Sequence, residues 1–509
     1  MEIPTKQNPI KKIIIYFLII FGVIITGTYI FQLEVEKEEK TEEKEIDKKE
    51  KIVCLDTNLP EKFQTEIEKL EVDMEVGYKG EECSVIIERN TKDISEYERM
   101  WTEMFALVTK YNSELKNISS ENLEQAVKEG KFEEKELIWD SETEKFLKTR
   151  FEMGVGYPKY TQERIKEKVM DEESIAIVPF EKVKPEYKVV SVSDRTPLDE
   201  DINELAYRLS DSFYISEGEN SVREKVKKQL EENLSKGKYK PEKISNIVIT
   251  GASKIGTGEQ HSVLKEKGHE HILGSVADIL KEADIAHISN KTSILQNCPQ
   301  EDSNNLCSPI ETIELLNYAN IDIVGMTGNH IVDYGGEEFR NTLDLYTEND
   351  IKYFGAGRTL QDAHRPRILE LGNIKIAFLG YTNTPPEIYW SNENRGGNTT
   401  ISESILERDI ARAKENADYI FVEMHLEEQQ EEYAKTAIDQ GADIVTGVYS
   451  KNKGDIEYYE DGIIFYELGN FLASQDNGMI INHIFYKDNY LVYNVVDTYV
   501  SDNIQVSIE

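Results

Sequence analysis

The stretch from Ile321 to Gly357 constrains the fold most strongly, because it reads as a strand, a helix and a second strand in succession. After the first strand pattern the chain breaks at a Thr-Gly pair and presents Asn329 and His330 side by side. In such a βαβ unit, ligands bind at the carboxyl end of the strand. An amide and an imidazole at that position suit a metal ion or an oxyanion, and the alternative is that they only cap a turn.

Further motifs follow this stretch in a fixed order, and together they resemble the capsule synthesis protein CapA family. The segments that carry the resemblance are TGNHIVDYG with the following GAG, KIAFLGYTNT (Lys375 to Thr384), YIFVEMH (Tyr419 to His425), GADIVTG (Gly441 to Gly447) and GIIFYELGNF (Gly462 to Phe471). It covers residues 246 to 475. The resemblance implies a metallophosphoesterase-like layered α/β/α domain and a role in poly-γ-glutamate production.

The resemblance also implies a two-metal site, whose ligands follow successive strands. Asn329, His330 and His425 are present at their positions, and His330 is the catalytic candidate if the site is active. At the other positions the chain has residues that do not suit a divalent ion. These are Ala252 in place of an aspartate, Ser289 and Lys291 in place of an Asn-x-Glu pair, and Tyr449 and Lys451 in place of a His-x-His pair. A register shifted by one residue would restore Asn290 but still give no glutamate. After His425, Leu426-Glu427 replaces the usual Trp-Gly.

Lysine cations at two ligand positions would repel a divalent ion at contact distance. We therefore expect no metal-dependent hydrolysis and no cofactor, and a divalent metal on the partial set of Asn329, His330 and His425 is the alternative. Lys291 and Lys451 become candidate anion-binding residues. The competing interpretation is that these lysines are ordinary surface substitutions made after the site lost its use.

The N-terminus has the features of a membrane anchor. Residues 13–31 are almost uninterruptedly apolar, and this length is near the ~20 residues that a helix needs to cross a bilayer. Lysines precede the apolar run and glutamates follow it. The positive-inside rule then places residues 1–12 in the cytosol and the bulk of the chain outside the cell membrane, in the cell envelope. A cleaved signal peptide is the rival interpretation.

The charge of the chain excludes one class of partner. The formal net charge of the 509 residues is −38, with 97 acidic against 59 basic side chains. Such a surface repels phosphate backbones, so we expect no nucleic-acid partner. It would equally repel an anionic polymer unless a local basic group of residues overrides the mean, so the charge does not itself support a capsule function.

The four cysteines form no CxxC pair, which disfavours a zinc-thiolate site. Outside the cytosol an even count allows disulfide bonds. Cys298 and Cys307 flank a polar loop that a local bridge would close, and Cys54 with Cys83 is the remaining pair. The alternative is four free thiols.

The sequence predicts several domains for a chain of this length. Residues 34–51 read as a charged linker, 52–215 as an α/β domain with a short solute-binding-protein-like segment, 216–241 as a helical connector, and 246–509 as the CapA-like domain with strands after Asn477. Within the first domain, the apolar spacing in Tyr97 to Tyr111 predicts an amphipathic helix. The histidines at 261, 269 and 271 are expected in a polar loop.

Three functional hypotheses remain from the sequence. The first is a membrane-anchored extracytoplasmic protein that assists the synthesis or export of capsule or poly-γ-glutamate, acting by binding beside capsule-synthesis or export proteins. The second is a metal-dependent hydrolase of a cell-surface phosphoester or amide. The third is a solute-sensing module.

Overall fold

The computed structural model describes residues 51–56, 59, 61–69, 74–78, 83–89, 97–151, 153, 158–199, 201–216, 218, 220–233, 238–255, 259–299, 305–384, 386–472, 477–501 and 505–508. The predicted cytosolic segment, membrane anchor and all but the last residue of the charged linker lie outside them. No helix within these ranges is long and apolar enough to span a bilayer.

The first part of the chain alternates strands and helices. In chain order they are β1 (Lys51–Leu55), α1 (Glu61–Glu68), β2 (Met74–Tyr78), β3 (Val85–Arg89), β4 (Tyr97–Lys110), β5 (Asn117–Ile118), α2 (Ser120–Glu129), β6 (Lys131–Phe132), β7 (Lys135–Trp139), α3 (Ser141–Phe151), α4 (Gln162–Asp171), β8 (Ile175–Pro179), β9 (Tyr187–Val192), β10 (Ser210–Ser216) and α5 (Asn220–Asn233).

The second part begins with β11 (Ile244–Ser253), α6 (Glu259–Lys267), α7 (His269–Leu273), α8 (Val276–Lys281), β12 (Ile285–Asn290), β13 (Ser293–Leu295), β14 (Cys307–Pro309), α9 (Thr312–Tyr318), β15 (Ile323–Gly325), α10 (Gly335–Glu348) and β16 (Lys352–Phe354). It continues with β17 (Ala356–Gly357), α11 (Leu360–Ala363), β18 (Arg367–Leu371), β19 (Ile374–Thr382), β20 (Gly397–Asn398), α12 (Glu403–Lys414), β21 (Tyr419–His425), α13 (Gln430–Gln440), β22 (Ile444–Gly447), β23 (Ile456–Tyr459), β24 (Gly462–Phe465), β25 (Asn470–Leu472), β26 (Asn477–Tyr486), β27 (Asn489–Val500) and β28 (Val506–Ile508).

These elements form two compact units, one of residues up to 101 with 212–236 and one of residues 102–211 with 237–509. In the first unit, β1 pairs in parallel with β2 and β3. Apolar side chains of α5, at Val222, Val226 and Leu230, pack on this sheet. The two compact units are defined by contacts within the folded chain, and they do not test the domain boundaries expected from the sequence. Those boundaries therefore stay predictions.

The predicted helix at Tyr97 to Tyr111 is wrong, because residues 97–110 form strand β4. Every side chain from Met100 to Thr109 is buried. When both faces of a strand are covered, the sequence becomes a continuous apolar run, and such a run also satisfies a helical spacing of three and four residues. The apolar side chains are nevertheless buried, Met100 and Trp101 in a core of the first unit and Met104 and Leu107 in a core of the second.

In the second unit, the elements between 102 and 211 share one hydrophobic core with the C-terminal hairpin. Ile484, Tyr486, Leu491 and Val492 of β26 and β27 belong to the same buried cluster as the side chains of β7, β8, α3 and α4. The Tyr486 ring packs 4.9 Å from that of Phe180. The predicted antiparallel strands after Asn477 are present, and they form this single hairpin.

The remainder of the second unit contains two large sheets. Strands β16, β15, β12 and β11 are parallel neighbours, and β26, β27 and β28 extend this sheet with antiparallel strands. The other sheet has the order β18-β19-β21-β22-β24-β23, with β19, β21, β22 and β24 parallel. The predicted strand-helix-strand unit at residues 321–357 is confirmed as β15, α10 and β16.

The two sheets pack face to face, so the layer order is α/β/β/α and the expected three-layer α/β/α order is wrong. Ile247, Ile249 and Ile323 of the first sheet meet Phe378 and Phe421 of the second in one core. The opposite face of each sheet is covered by helices, α6 to α10 on the first and α12 and α13 on the second. Strands buried on both faces have the same apolar pattern in either arrangement, so the sequence does not distinguish them.

At the amino ends of the parallel strands, aspartates clamp neighbouring strands together. Asp322 donates its backbone N–H to the Ala286 carbonyl and accepts the Ala286 N–H on its carboxylate at 2.8 Å. Asp418 does the same with Lys375, and Asp443 with Ile420. Each aspartate therefore satisfies both backbone groups of one residue on the adjacent strand.

The structure contains two disulfide bonds, Cys54–Cys83 and Cys298–Cys307. They are the two pairs considered from the sequence. The first links β1 to the start of β3 within the first unit, and the second closes the loop between β13 and β14. Both limit the freedom of the unfolded chain.

Candidate functional site

Side chains at or just after the carboxyl ends of β12, β15, β21, β22 and β24 lie together in the second unit. Parallel strands end at the same edge of a sheet, which is where ligands bind in open α/β folds. The cluster contains Lys291, His330, His425, Tyr449 and Glu467, and we call it the carboxyl-edge cluster. Its members affect one another electrostatically, since Lys291 and His330 both lower the pKa of His425 and Glu467 raises that of Lys291.

His330 is half-buried and is held by Asp333. The ring Nδ1 lies 2.7 Å from Asp333 Oδ2, and the same oxygen accepts the backbone N–H of Leu306. The turn that carries Asn329, which is also half-buried, is fixed by Asn398, whose side-chain amide donates to the Met326 and Gly328 carbonyls. The sequence interpretation missed Asp333 and Asn398, although Asp333 lies within the same motif, three residues after the histidine.

His425 is buried at the end of β21, and its two ring nitrogens differ. Nδ1 lies 3.1 Å from the Val448 carbonyl, whereas Nε2 has no hydrogen-bond partner among the described residues. Burial, and then the positive charge of Lys291, hold the pKa of this imidazole well below its usual value. The ring is therefore neutral, with its proton on Nδ1 facing the carbonyl and a free lone pair on Nε2.

Lys291 is only 5% exposed, at the end of β12. Its Nζ donates to the Tyr449 carbonyl at 3.4 Å, and its backbone N–H donates to Ser253. The pKa of the ammonium is lowered to about 8, first by burial and then by the charges of Lys254 and Lys451, whereas Glu467 and Glu423 act to raise it. Gly328 permits this position, because a Cβ there would lie 2.5 Å from Lys291 Cα.

Glu467 is the acidic member of the cluster, and the sequence interpretation missed it. Burial raises the pKa of this carboxyl to about 7, although the N–H groups of Ser450 and Tyr449 and the charge of Lys291 act to lower it. Lys451, the second candidate anion-binding residue, is exposed but close enough to influence Lys291. The Tyr449 ring packs edge-on against His425, with 5.2 Å between the ring centroids.

Beneath the cluster lies a fully buried polar group centred on Glu423. Its Oε1 accepts hydrogen bonds from Thr327 Oγ1 at 2.5 Å and from Ser289 Oγ at 3.1 Å. His287 Nε2 lies 3.1 Å from Oε2, although the two atoms are not aligned as a hydrogen bond. Gly325 provides the room, since a Cβ there would lie 2.4 Å from the carboxylate.

The residues present do not fit the two-metal site that the resemblance implies. Ala252 is buried and supplies no ligand, the Ser289 hydroxyl is bound to Glu423, and the buried Lys291 brings a positive charge to the cluster. Within the described part of the chain, no three or more His, Cys, Asp or Glu side chains form a group that would hold a metal ion.

The prediction of a polar loop around the other three histidines is wrong, because they lie on short helices. His261 is buried on α6, and His269 and His271 belong to α7. The His269 ring packs 4.5 Å from that of Tyr318. Gly268 separates the two helices and has a positive φ of 81°, and this break gave the segment the appearance of a loop.

Comparison with known proteins supports the resemblance found from the motifs. Residues 246–475 match the family of bacterial capsule synthesis proteins described as PGA_cap. The chain is 27% identical over 230 residues to a capsule biosynthesis protein CapA of Bacillus anthracis, with 42% of this chain and 56% of that protein covered. It is 28% identical over 225 residues to a PGA biosynthesis protein CapA of Bacillus subtilis strain 168, covering 42% and 59%. The chain thus spans little more than half the length of these relatives.

The similarity of this chain to solved structures is weaker. The sulfate thiohydrolase SoxB of Thermus thermophilus has a TM-score of 0.32 at 10% identity, with 49% of this chain and 56% of that chain covered. An ABC-type phosphate transport receptor of Vibrio cholerae has a TM-score of 0.28 at 12% identity, with 36% and 98% covered. Scores this low carry no conclusion about ligands or activity.

The order of the motifs, the strands that carry them and the sequence matches agree for one part of the molecule. The predicted resemblance to the CapA family is therefore confirmed: residues 246–475 of this chain match the PGA_cap family of bacterial capsule synthesis proteins.

Proposed function

We propose that this protein is a membrane-anchored extracytoplasmic member of the capsule-synthesis machinery that assists the production or export of an anionic polymer, such as poly-γ-glutamate, by binding. The observation that carries the proposal is the buried Lys291 within a PGA_cap domain, at a position where the resemblance implies a metal ligand. A cation fixed by the protein binds an anion without a metal, and a tethered binding domain gains effective concentration beside an exporter.

The proposal includes the predicted location and fold. Residues 13–31 would anchor the chain in the cell membrane, with residues 1–12 in the cytosol and the remainder outside. The domain that contains the carboxyl-edge cluster would derive from a metallophosphoesterase-like fold and would have lost its metals. The relatives named for capsule or PGA biosynthesis support the polymer class.

The first experiment replaces the native gene with variants and measures cell-associated and released polymer. Lys291→Met is expected to reduce polymer output strongly, and Lys375→Met, the same change at an exposed lysine at the opposite end of the strands, is expected to leave it unchanged. Normal output from the Lys291→Met strain, with the protein present at normal levels, would contradict the proposal.

A metal assay tests the alternative of a hydrolase. Full-length protein purified in detergent is analysed for bound manganese, iron and zinc, with and without the double change His330→Ala and His425→Ala. Stoichiometric bound metal that is lost in the double variant would favour the hydrolase and contradict the proposal of a metal-free binding protein.

Protease added to intact cells tests the location. Cleavage of the chain outside residues 1–31 without cell lysis is expected, because the proposed orientation exposes everything after the anchor. Protection of the whole chain until the cells are lysed would be incompatible with it.

A further inference from the structure

Two buried polar groups in the carboxyl-edge cluster lack adequate partners and lie beside each other. His425 is 1% exposed, and its Nε2 has no hydrogen bond among the described residues. The Lys291 ammonium has three protons to donate, but its one hydrogen bond within these residues is a long one of 3.4 Å. Native proteins satisfy nearly all buried polar groups, so two poorly satisfied ones together indicate an absent ligand.

The two groups are positioned by consecutive carbonyls of one loop. His425 Nδ1 faces the Val448 carbonyl and Lys291 Nζ faces the Tyr449 carbonyl. The Gly328 turn packs directly on the Lys291 side chain and keeps it in this place. The free lone pair of Nε2 and the ammonium are therefore presented as a fixed pair, one requiring a donor and the other an acceptor.

The charges around the pair restrict the ligand to a monoanion. Lys291, Lys254 and Lys451 supply positive charge, whereas Glu467 and Glu423 lie close enough to offset part of it. A carboxylate fits this balance better than a phosphate dianion, which two neighbouring carboxyl groups would oppose. The dianion of a phosphate monoester also brings no proton for the Nε2 lone pair.

On the basis of the proposed function, we infer that the carboxyl-edge cluster binds the carboxylate of an N-acylated amino acid, with Lys291 holding the carboxylate and His425 Nε2 accepting the adjacent amide N–H. Each internal unit of an amide-linked acidic polymer joined through its side-chain carboxyl has this pair of groups on one carbon. His330 and Tyr449 are only half-buried and Lys451 is exposed, so the cluster reaches the surface, where a polymer can approach it.

The test uses two ligands that differ only at the amide. N-acetylglutamine, whose side-chain amide reproduces that of an internal unit, and N-acetyl-N-methylglutamine, methylated at the α-nitrogen, are titrated into the full-length protein in detergent by calorimetry. The N-methyl compound is expected to bind about tenfold more weakly, because the hydrogen bond to Nε2 is lost. Equal affinities, or tighter binding of inorganic phosphate or manganese alone, would overturn the inference.

Two variants assign the roles of the two residues. Lys291→Met keeps the aliphatic stem against Gly328 and is expected to weaken binding of both ligands at least tenfold, on the scale of a lost charged hydrogen bond. His425→Asn retains a donor near the Val448 carbonyl but lacks Nε2. It should therefore bind the two ligands equally, and a persisting preference for N-acetylglutamine would refute the role of Nε2. Lys375→Met should behave as the native protein.

A measurement on the native chain avoids any dependence on variant folding. Lysines are modified by reductive methylation with and without N-acetylglutamine, and each site is quantified by mass spectrometry. Lys291 is expected to be protected by the ligand while Lys375 is not; no protection of Lys291 would contradict the inference. Binding as expected with normal polymer output from Lys291→Met cells would instead refute only the proposed function.

Discussion

The two ends of the parallel strands in the second unit are built on opposite principles. At the amino ends, aspartates satisfy both backbone groups of a neighbouring residue, so the polar groups there are paired. At the carboxyl ends, His425 Nε2 and Glu467 Oε2 are buried without a hydrogen bond among the described residues. Because an unsatisfied buried group lowers stability, the contrast indicates that the amino edge maintains the fold and the carboxyl edge is arranged for a ligand.

The largest effect is expected at Glu423, which lies between the two sheets. Glu423→Ala would leave the Thr327 and Ser289 hydroxyls and the His287 imidazole without their carboxylate and should lower the free energy of unfolding by about 3–5 kcal/mol. Denaturant titration of the purified protein measures it. Glu370→Ala, at an exposed glutamate of β18, is the control, and a similar loss in both variants would break the comparison.

Gly325, on strand β15 of the other sheet, tests the same buried polar group around Glu423. A methyl group at this position would lie 2.4 Å from Glu423 Oε1 and must displace the carboxylate. Gly325→Ala should therefore cost about 1–3 kcal/mol in thermal or denaturant unfolding. Gly336→Ala, where the nearest atom is the flexible end of Arg340 at 3.4 Å, should be nearly neutral. If Gly325→Ala is equally neutral, Glu423 is not held as tightly as its hydrogen bonds indicate.

Asp443, at the amino edge, makes the stability of the folded protein depend on pH in a predictable direction. Burial raises the pKa of this carboxyl to about 6, against the Ile420 N–H and Lys414, which lower it. Its contribution to stability is therefore fully present below about pH 4, the pKa range of an unfolded aspartate, and is lost as the pH rises through 6.

Asp443→Asn keeps an acceptor for the Ile420 N–H but has no charge to bury. Relative to the native protein, the variant should gain on the order of 1 kcal/mol between pH 5 and pH 8. Thermal unfolding of both proteins at the two pH values measures the difference. A gap that does not widen with pH would contradict the pKa assignment, and Asp461→Asn at an exposed turn is the matched control.

The smallest effect is expected for the exposed clamp at Asp418. Asp418→Ala removes the acceptor of the Lys375 N–H at 2.8 Å, but water can replace it. We expect a loss of about 0.5–1 kcal/mol in denaturant unfolding. A loss as large as that of Glu423→Ala would mean that the amino edge contributes more to the fold than its exposure implies.

The sequence predicts much of the family-matched domain because its strands carry local signals. The strand-helix-strand unit follows from apolar spacing and glycines, and the motif order identifies the family. The sequence does not predict that this domain contains two sheets and not one, because a strand buried on both faces has the same apolar pattern in either case. For the same reason the sequence of β4, which is buried on both faces, predicts a helix.

Some residues of the candidate site can likewise be predicted from the sequence, and others cannot. His330, His425 and Lys291 could be placed from motif positions, whereas Glu467 and Asn398 reach the cluster only through tertiary packing. The sequence also contains a signal for two further buried polar residues. His287 and Glu423 are charged or polar residues in the middle of otherwise apolar strands, and such positions indicate a buried polar group.

The shared core between residues 102–211 and the C-terminal hairpin has a consequence for biosynthesis. A chain made from its N-terminus has the strands and helices around residues 137–178 long before Ile484, Tyr486, Leu491 and Val492 exist. Until the final segment emerges, that core presents an apolar face with nothing to cover it, a state prone to aggregation. An early folding intermediate is therefore expected to need a holding chaperone, and a stop codon placed before the hairpin should affect the first half of the protein as much as the second.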